Sequence, residues 1–206
     1  MRKVRSNVAR MTTLSDIRTR VREDLRDSDA ERWPDDQIDR HIAHALSDLS
    51  LAAPRELTDE LATTNGSRAL SLATLEGLIE VEAVEYPAGQ FPAAFVSFST
   101  WGGTLTVQGP AVPDGSDAKV YYLATHTLDD EGTTVPEHLL DVLATGASAY
   151  AALELASFTA DRLNLDPKAS EKHLAWSRAR LTAFQQLLHT YGRKNRVRER
   201  RLYVPA

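Results

Sequence analysis

The sequence predicts an α+β protein. It reads as mainly an α-helical bundle of about four helices, with a small antiparallel β-sheet insertion and an extended basic C-terminal tail. Three observations carry this. Apolar residues recur at helical spacing near both ends of the chain. The middle third alternates at a period of two and holds most of the glycines and prolines. The last stretch packs six basic residues between Arg193 and Arg201.

Thr13 is placed to cap a first helix, with Asp16 three residues on in the reciprocal position of a capping box. Leu14, Ile17, Val21 and Leu25 then form one stripe. Pro34 stands where a second helix starts, which suits its fixed φ and missing N–H. Asp35 and Asp36 follow at the positive end of the helix dipole. Ile38, Ile42, Leu46 and Leu49 make the second stripe, and Ala53-Pro54-Arg55-Glu56-Leu57 ends that helix.

Thr63-Thr64-Asn65-Gly66-Ser67 is a turn. Strand-like alternation follows over residues 69–72 and 79–83, with a shift of phase at Val84-Glu85-Tyr86 that marks a bulge. Phe95-Val96-Ser97-Phe98 and Thr104-Leu105-Thr106-Val107 flank Thr100-Trp101-Gly102-Gly103 as a hairpin. Pro113-Asp114-Gly115-Ser116 turns into a further strand over residues 119–123. Helix returns at Val135-Pro136-Glu137, and residues 139–158 are almost all apolar or small, as in a helix buried centrally or at a subunit interface. Asp166-Pro167 opens the last helix. Leu174, Ser177, Leu181, Phe184, Leu188 and Tyr191 line it, and Gly192 is placed to end it. The organisation is a helical hairpin over 1–62, a β module over 63–130, two long helices over 131–192 and a basic tail over 193–206. Leu174, Leu181, Phe184 and Leu188 are expected to pack on Ile17, Val21, Ile42 and Leu46, with the β module projecting from the bundle.

A chain of 206 residues, 42% hydrophobic and 26% charged, buries an ordinary globular core. The absence of cysteine excludes disulfide scaffolds, thiolate metal sites and cysteine nucleophiles. No apolar run approaches the roughly 20 residues of a membrane span, and the basic N-terminus lacks an apolar signal region, which points to synthesis in the cytoplasm. The formal net charge is −5, yet residues 193–201 carry +5 and the first ten carry +4, leaving −14 for the rest. An acidic body repels phosphate, so general nucleic-acid binding through the folded surface is disfavoured.

Chemistry-bearing groups are sparse. His41, His44 and Asp48 share a helix but lack the further ligands a metal site needs, and read better as solvated or inter-subunit side chains. The acids Asp24, Asp27, Asp29, Glu31, Asp35, Asp36 and Asp39 do not fit a calcium loop. They lie among Arg20, Arg22, Arg26, Arg32 and Arg40, and read as helix caps and a mixed-charge surface. Glu80 and Glu82 read as solvent-facing strand residues, and no nucleophile elbow or phosphate-cradling turn is present. No catalytic residue, cofactor or metal is expected. The tail has three open readings: a disordered solubilising segment, a DNA-binding element, or a docking peptide. As a docking peptide it offers Arg193, Lys194, Arg196, Arg198, Arg200 and Arg201 to an acidic partner, then Leu202, Tyr203 and Val204 as an apolar anchor. Its clustered charges suggest a segment that is flexible until bound. Phe95, Phe98 and Trp101 are the exposed aromatic candidates for contact with a partner protein or a neighbouring subunit.

The order of parts resembles the head–tail connector (adaptor) proteins of tailed bacteriophages. Many of these open with a helix, an acidic loop, a Trp-[Ser/Pro]-Asp-x-x-[Ile/Leu] turn and a second helix, and Trp33-Pro34-Asp35 stands in that turn here. Val81-Glu82-Ala83-Val84-Glu85-Tyr86-Pro87, Val120-Tyr121-Tyr122-Leu123-Ala124-Thr125-His126 and Thr133-Thr134-Val135-Pro136 continue the likeness along nearly the whole chain. In its β insertion the chain looks like the longer adaptors and the tubular tail proteins of short-tailed phages. The resemblance implies a homo-oligomeric ring of about twelve copies in the virion neck. That ring would lie beneath the portal protein, extend the DNA channel, and present a platform to the next tail or neck component, a stopper or tail tube protein. DNA would pass without sequence-specific binding, and no membrane is involved. The alternative is a nucleic-acid-binding accessory protein acting through its basic ends. A hydrolase would need a pocket joining His126 or His138 to carboxylates.

Overall fold

The computed structural model describes residues 12–109, 112–160 and 167–196. They fall into two compact units: the described residues up to Ala53 together with those from His126 onward, and Pro54–Thr125. The first is all helical apart from loops, and the second is all strand.

Helix α1 spans Leu14–Leu25 and begins as the sequence dictates. Thr13 Oγ1 accepts from Asp16 N at 3.4 Å, and Asp16 Oδ2 accepts from Thr13 N at 2.9 Å, closing the capping box. Helix α2 spans Asp35–Ala52. Pro34 is its N-cap rather than its first turn: the Pro34 carbonyl accepts from Ile38 N, and no side chain caps the end. Helix α3 spans Glu137–Ala160 and α4 spans Pro167–Arg196. Asp166, expected to cap α4, lies outside the described residues.

Over Glu137–Ser157, α3 is long and apolar enough by composition to cross a bilayer, more apolar than the sequence reading allowed. Two-thirds of that stretch is buried, because α1, α2 and α4 all pack on it. Its all-round hydrophobicity therefore has an explanation within one chain. The shared core holds Ile17, Val21, Ile38, Ile42, Leu49, Leu143 and Phe184, all at most 1% exposed, with Leu46, Leu181 and Leu188 packed against them. Leu174 is half-buried.

Two glycines let helices approach closely. A Cβ on Gly146 of α3 would stand 2.6 Å from the Phe184 ring, so the ring occupies the space a side chain would fill. A Cβ on Gly192 would stand 2.8 Å from the Ala52 carbonyl oxygen. This corrects the sequence expectation: Gly192 does not end α4, whose backbone continues to Arg196. The glycine serves a helix contact, and the stop signal was read from residue type alone.

The second unit contains β1 (Arg55–Ala62), β2 (Ala69–Ser71), β3 (Leu78–Glu85), β4 (Phe95–Trp101), β5 (Thr104–Gln108) and β6 (Asp117–Ala124). All neighbouring strands run antiparallel, in the order β1-β6-β3-β4-β5-β2. A sheet of six strands is larger than the small insertion expected. The excess lies in β1, where the sequence reading had placed the end of a helix. Arg55, Glu56, Asp59 and Glu60 mask its strand character, as charges on an edge strand do. Register shifts fall between Leu78 and Glu80 and between Val81 and Ala83, earlier than the bulge expected at Val84-Glu85-Tyr86. Val84 and Glu85 are nonetheless both buried, which is the phase shift visible in the sequence. The β4–β5 hairpin turns on Gly102 and Gly103, at φ 54° and 75°, the left-handed pair that a two-residue hairpin requires.

Truncating Phe184 to alanine should cost about 3–5 kcal/mol, since its ring is fully buried against Gly146. Urea unfolding of Phe184→Ala measures this, and a loss below about 1 kcal/mol would contradict the packing described.

Candidate interaction surfaces

The turn from α1 to α2 is built around a buried ion pair. Arg26, in the left-handed region at φ 56°, ends α1. Arg22, nearly buried, then reaches back over the turn. It donates to Asp27 Oδ2 at 3.1 Å, to the Trp33 carbonyl at 2.7 Å and to Asp35 Oδ1 at 2.6 Å. Asp27 accepts in addition from the backbone N–H groups of Arg32 and Trp33, each at 3.1 Å. Trp33 is thereby seated in the core with its ring edge-on to His41. Outside this knot, Arg18 holds Asp39 with two parallel bonds of 2.9 and 2.8 Å. Asp24, Asp27, Asp35 and Asp39 are thus tied to arginines, with Arg18 and Arg180 doing part of what the sequence reading gave to others, while Asp29, Glu31 and Asp36 are exposed. Arg20 and Arg40 go instead to Asp141 and Glu154 of α3.

The histidines are equally committed. His44 stacks on Tyr150 at 3.9 Å between ring centres, and the Tyr150 hydroxyl donates to Asp48. Burial, then the Asp48 carboxylate, raises the Tyr150 pKa. His41 Nε2 lies 3.0 Å from Glu154 Oε2 but off the line of a hydrogen bond. Burial, reinforced by Arg40 and His44, pulls the His41 pKa below its usual value against the opposing pull of Glu154. His126 is buried with Nδ1 3.0 Å from the Thr134 carbonyl and Nε2 2.9 Å from the Ala53 carbonyl, so both ring nitrogens meet backbone. His138 lies beside the Tyr191 ring. No metal-type cluster of three or more side chains forms among the described residues.

A cleft of about 590 Å³ opens beside the turn, between α1, α3 and α4. Leu25, Trp33, Ala152, Leu155 and Trp176 line it, with Asp24, Arg26, Arg32 and Arg180 at its edge. Trp176 is 42% exposed and carries the Arg180 guanidinium over its ring at 5.3 Å. Arg180 bonds to Asp24 and, at 2.8 Å, to Ser148 Oγ. The sequence reading passed over Trp176. Its signal was a large apolar residue standing off the stripe set by Leu174, Ser177 and Leu181.

In the strand unit, Trp101 is 91% exposed at the end of β4 and Phe95 half-exposed, its ring 5.8 Å from that of Tyr121. Phe98 is half-buried against the sheet core of Val84, Leu105 and Val120. Phe91, in the loop before β4, is fully exposed and had not been singled out. Of the tail residues, Arg193, Lys194 and Arg196 fall on the backbone of α4, while Arg198, Arg200, Arg201, Leu202, Tyr203 and Val204 lie outside the described residues.

The chain belongs to the SU10 adaptor protein family, whose model matches residues 12–205. It is a head–tail adaptor of the phage type, a structural component of the virion neck. No curated protein matches the chain. Among solved structures it is similar to a chain from the neck of a native GTA particle computed with C12 symmetry, at 14% identity. That match covers 82% of this chain and 93% of the other, with a TM-score of 0.29.

Replacing Arg22 by methionine strands Asp27 without its partner in the core and should cost about 3–5 kcal/mol in urea unfolding. Arg18→Met, which breaks a pair only partly buried, should cost less, about 1 kcal/mol. Equal losses would show that the buried knot is not special. A second expectation concerns pH. His41 has a folded-state pKa below its unfolded value, so the unfolded chain takes up its proton first as pH falls. Stability from this site is therefore complete above about pH 6.5 and declines below it. Denaturant midpoints at neutral and mildly acidic pH should converge in His41→Asn relative to the parent, and an unchanged slope would assign the effect elsewhere.

Proposed function

We propose that this protein assembles as a ring of about twelve copies beneath the portal, extends the DNA channel and presents a platform to the next tail or neck component. The observation that carries this is the family match over residues 12–205, which takes in nearly the whole chain. The GTA neck structure, solved with twelve-fold symmetry, is in keeping with the ring number. In this reading residues 193–206 dock on portal carboxylates through Arg193, Lys194, Arg196, Arg198, Arg200 and Arg201. Leu202, Tyr203 and Val204 enter an apolar groove, and many symmetric copies make individually weak contacts collectively strong. The aromatic side chains Phe95, Phe98 and Trp101 serve the tail side or a neighbouring subunit. The acidic body favours passage of DNA over binding, since a wall that repels phosphate lets a duplex slide.

Deleting residues 193–206 should leave thermal unfolding nearly unchanged while abolishing association with portal rings, read by sedimentation and electron microscopy. Replacing Leu202, Tyr203 and Val204 by serine keeps every arginine and tests the anchor separately. Full binding by that variant would remove the anchor from the mechanism, and binding by the deletion would remove the tail. The rival, a nucleic-acid-binding accessory protein, predicts a salt-sensitive affinity for DNA that disappears with the same deletion. The contribution of the strand unit is tested by replacing Pro54–Thr125 with a linker. Those bounds keep His126 and its bonds to Ser50 and Ala53, which a cut further along the chain would destroy. Rings that form yet recruit no tail are the expected result.

A further inference from the structure

We propose that the cleft walled by Leu25, Leu155 and Trp176 is a peptide-docking site. It takes a short acidic segment carrying one leucine or aromatic side chain, presented by another protein of the particle. That the presenting protein belongs to the particle rests on the adaptor reading; the chemistry of the cleft does not.

The apolar part of the argument begins with Trp176. A tryptophan 42% exposed at the mouth of an apolar concavity is the residue type that dominates binding energy at protein interfaces. Its indole is held on one side by the Arg180 guanidinium, so it presents a fixed wall and loses little freedom on binding. Trp33 forms the floor and is fixed by the Asp27 knot. About 590 Å³ lies within the range of small pre-formed sites and admits one large side chain with its flanking backbone.

The charge at the edge selects the occupant. Arg26, Arg32 and Arg180 stand against a single lining carboxylate, Asp24, which Arg180 already occupies. Arg26 has its backbone pinned by bonds to the Arg22 and Glu23 carbonyls, and Arg32 by its N–H to Asp27. Among the described residues neither guanidinium has a carboxylate partner. Arg180 Nε is buried and has no acceptor. An incoming carboxylate can accept from the exposed Arg26 and Arg32 guanidinium groups, each of which can donate two parallel bonds.

Two other occupants fit less well. A second copy would have to offer an exposed apolar side chain beside free carboxylates. Leu51, Phe91, Phe95 and Trp101 all stand between uncharged neighbours. Val112 is two residues from Asp114, whose carboxylate is already bonded to Tyr86 and Ser116. A nucleic acid would bring continuous phosphate past Glu23, Asp29, Glu31 and Asp36, all exposed on the same turn and its flanking helices. A discrete carboxylate next to an apolar anchor avoids them.

The test uses the full chain and a synthetic octapeptide, Gly-Ser-Asp-Leu-Ser-Glu-Ser-Gly, with two controls: lysines for both acids, and serine for leucine. The three indole N–H signals, from Trp33, Trp101 and Trp176, report the position of binding in proton–nitrogen spectra. A fluorescein-labelled copy of the peptide reports affinity. The acidic peptide should shift the Trp176 signal saturably and leave Trp101 in place. Both controls should bind about tenfold more weakly or worse. The Arg26→Ser/Arg32→Ser variant and Trp176→Ala, each first shown to unfold at the parent midpoint, should lose binding by a similar factor. Equal affinity for the lysine peptide, undiminished binding by the arginine variant, a still Trp176 signal, or an equal shift with oligothymidylate would each overturn the proposal. Because ring formation on a portal is measured separately, its failure would leave this result standing, and the reverse also holds.

Discussion

The buried Arg22–Asp27 pair governs the helical unit. Two charges at the edge of a core are costly to desolvate, and they are tolerated here because nearly every polar atom finds a partner. Arg22 spends its donors on Asp27, the Trp33 carbonyl and Asp35, while Asp27 spends its oxygens on Arg22 and two backbone N–H groups. The pair's contribution is geometric more than energetic. It fixes the path of the turn, the entry of α2 and the seat of Trp33, and through Trp33 the environment of His41 and the floor of the cleft. Any change that loosens it should be felt at all of these sites together.

A second constraint is close approach. Gly146 of α3 and Gly192 of α4 are two positions where a Cβ would collide with a neighbouring helix. Phe184 fills the space at the first, and the Ala52 carbonyl occupies the second. Together they hold α4 against α3 and the end of α2, so the backbone of α4 reaches Arg196 in a defined direction.

The strand unit obeys different rules. Its order, β1-β6-β3-β4-β5-β2, leaves a charged strand at one edge and a three-residue strand at the other. Both devices discourage edge-to-edge pairing between copies. The large side chains that stand clearest of the sheet core are Trp101 and Phe91.

The sequence by itself determined the parts governed by local rules. The Thr13–Asp16 capping box, the two stripes of the first hairpin, the Gly102-Gly103 turn and the apolar third helix follow from residue type and spacing within a few positions. Local preference and final structure agree there. The family was legible for the same reason, since its signature is an order of such local parts. Tertiary structure decided whatever depends on residues far apart in the chain. It made a strand of Arg55–Ala62, because pairing with Asp117–Ala124 outweighs an unpromising charged pattern. It turned Gly192 from a helix stop into a helix contact, because the Ala52 carbonyl lies where a side chain would be. The cleft could not be read in advance at all. It takes Leu25, Leu155 and Trp176 from three helices, and only packing brings them to one side of an arginine rim.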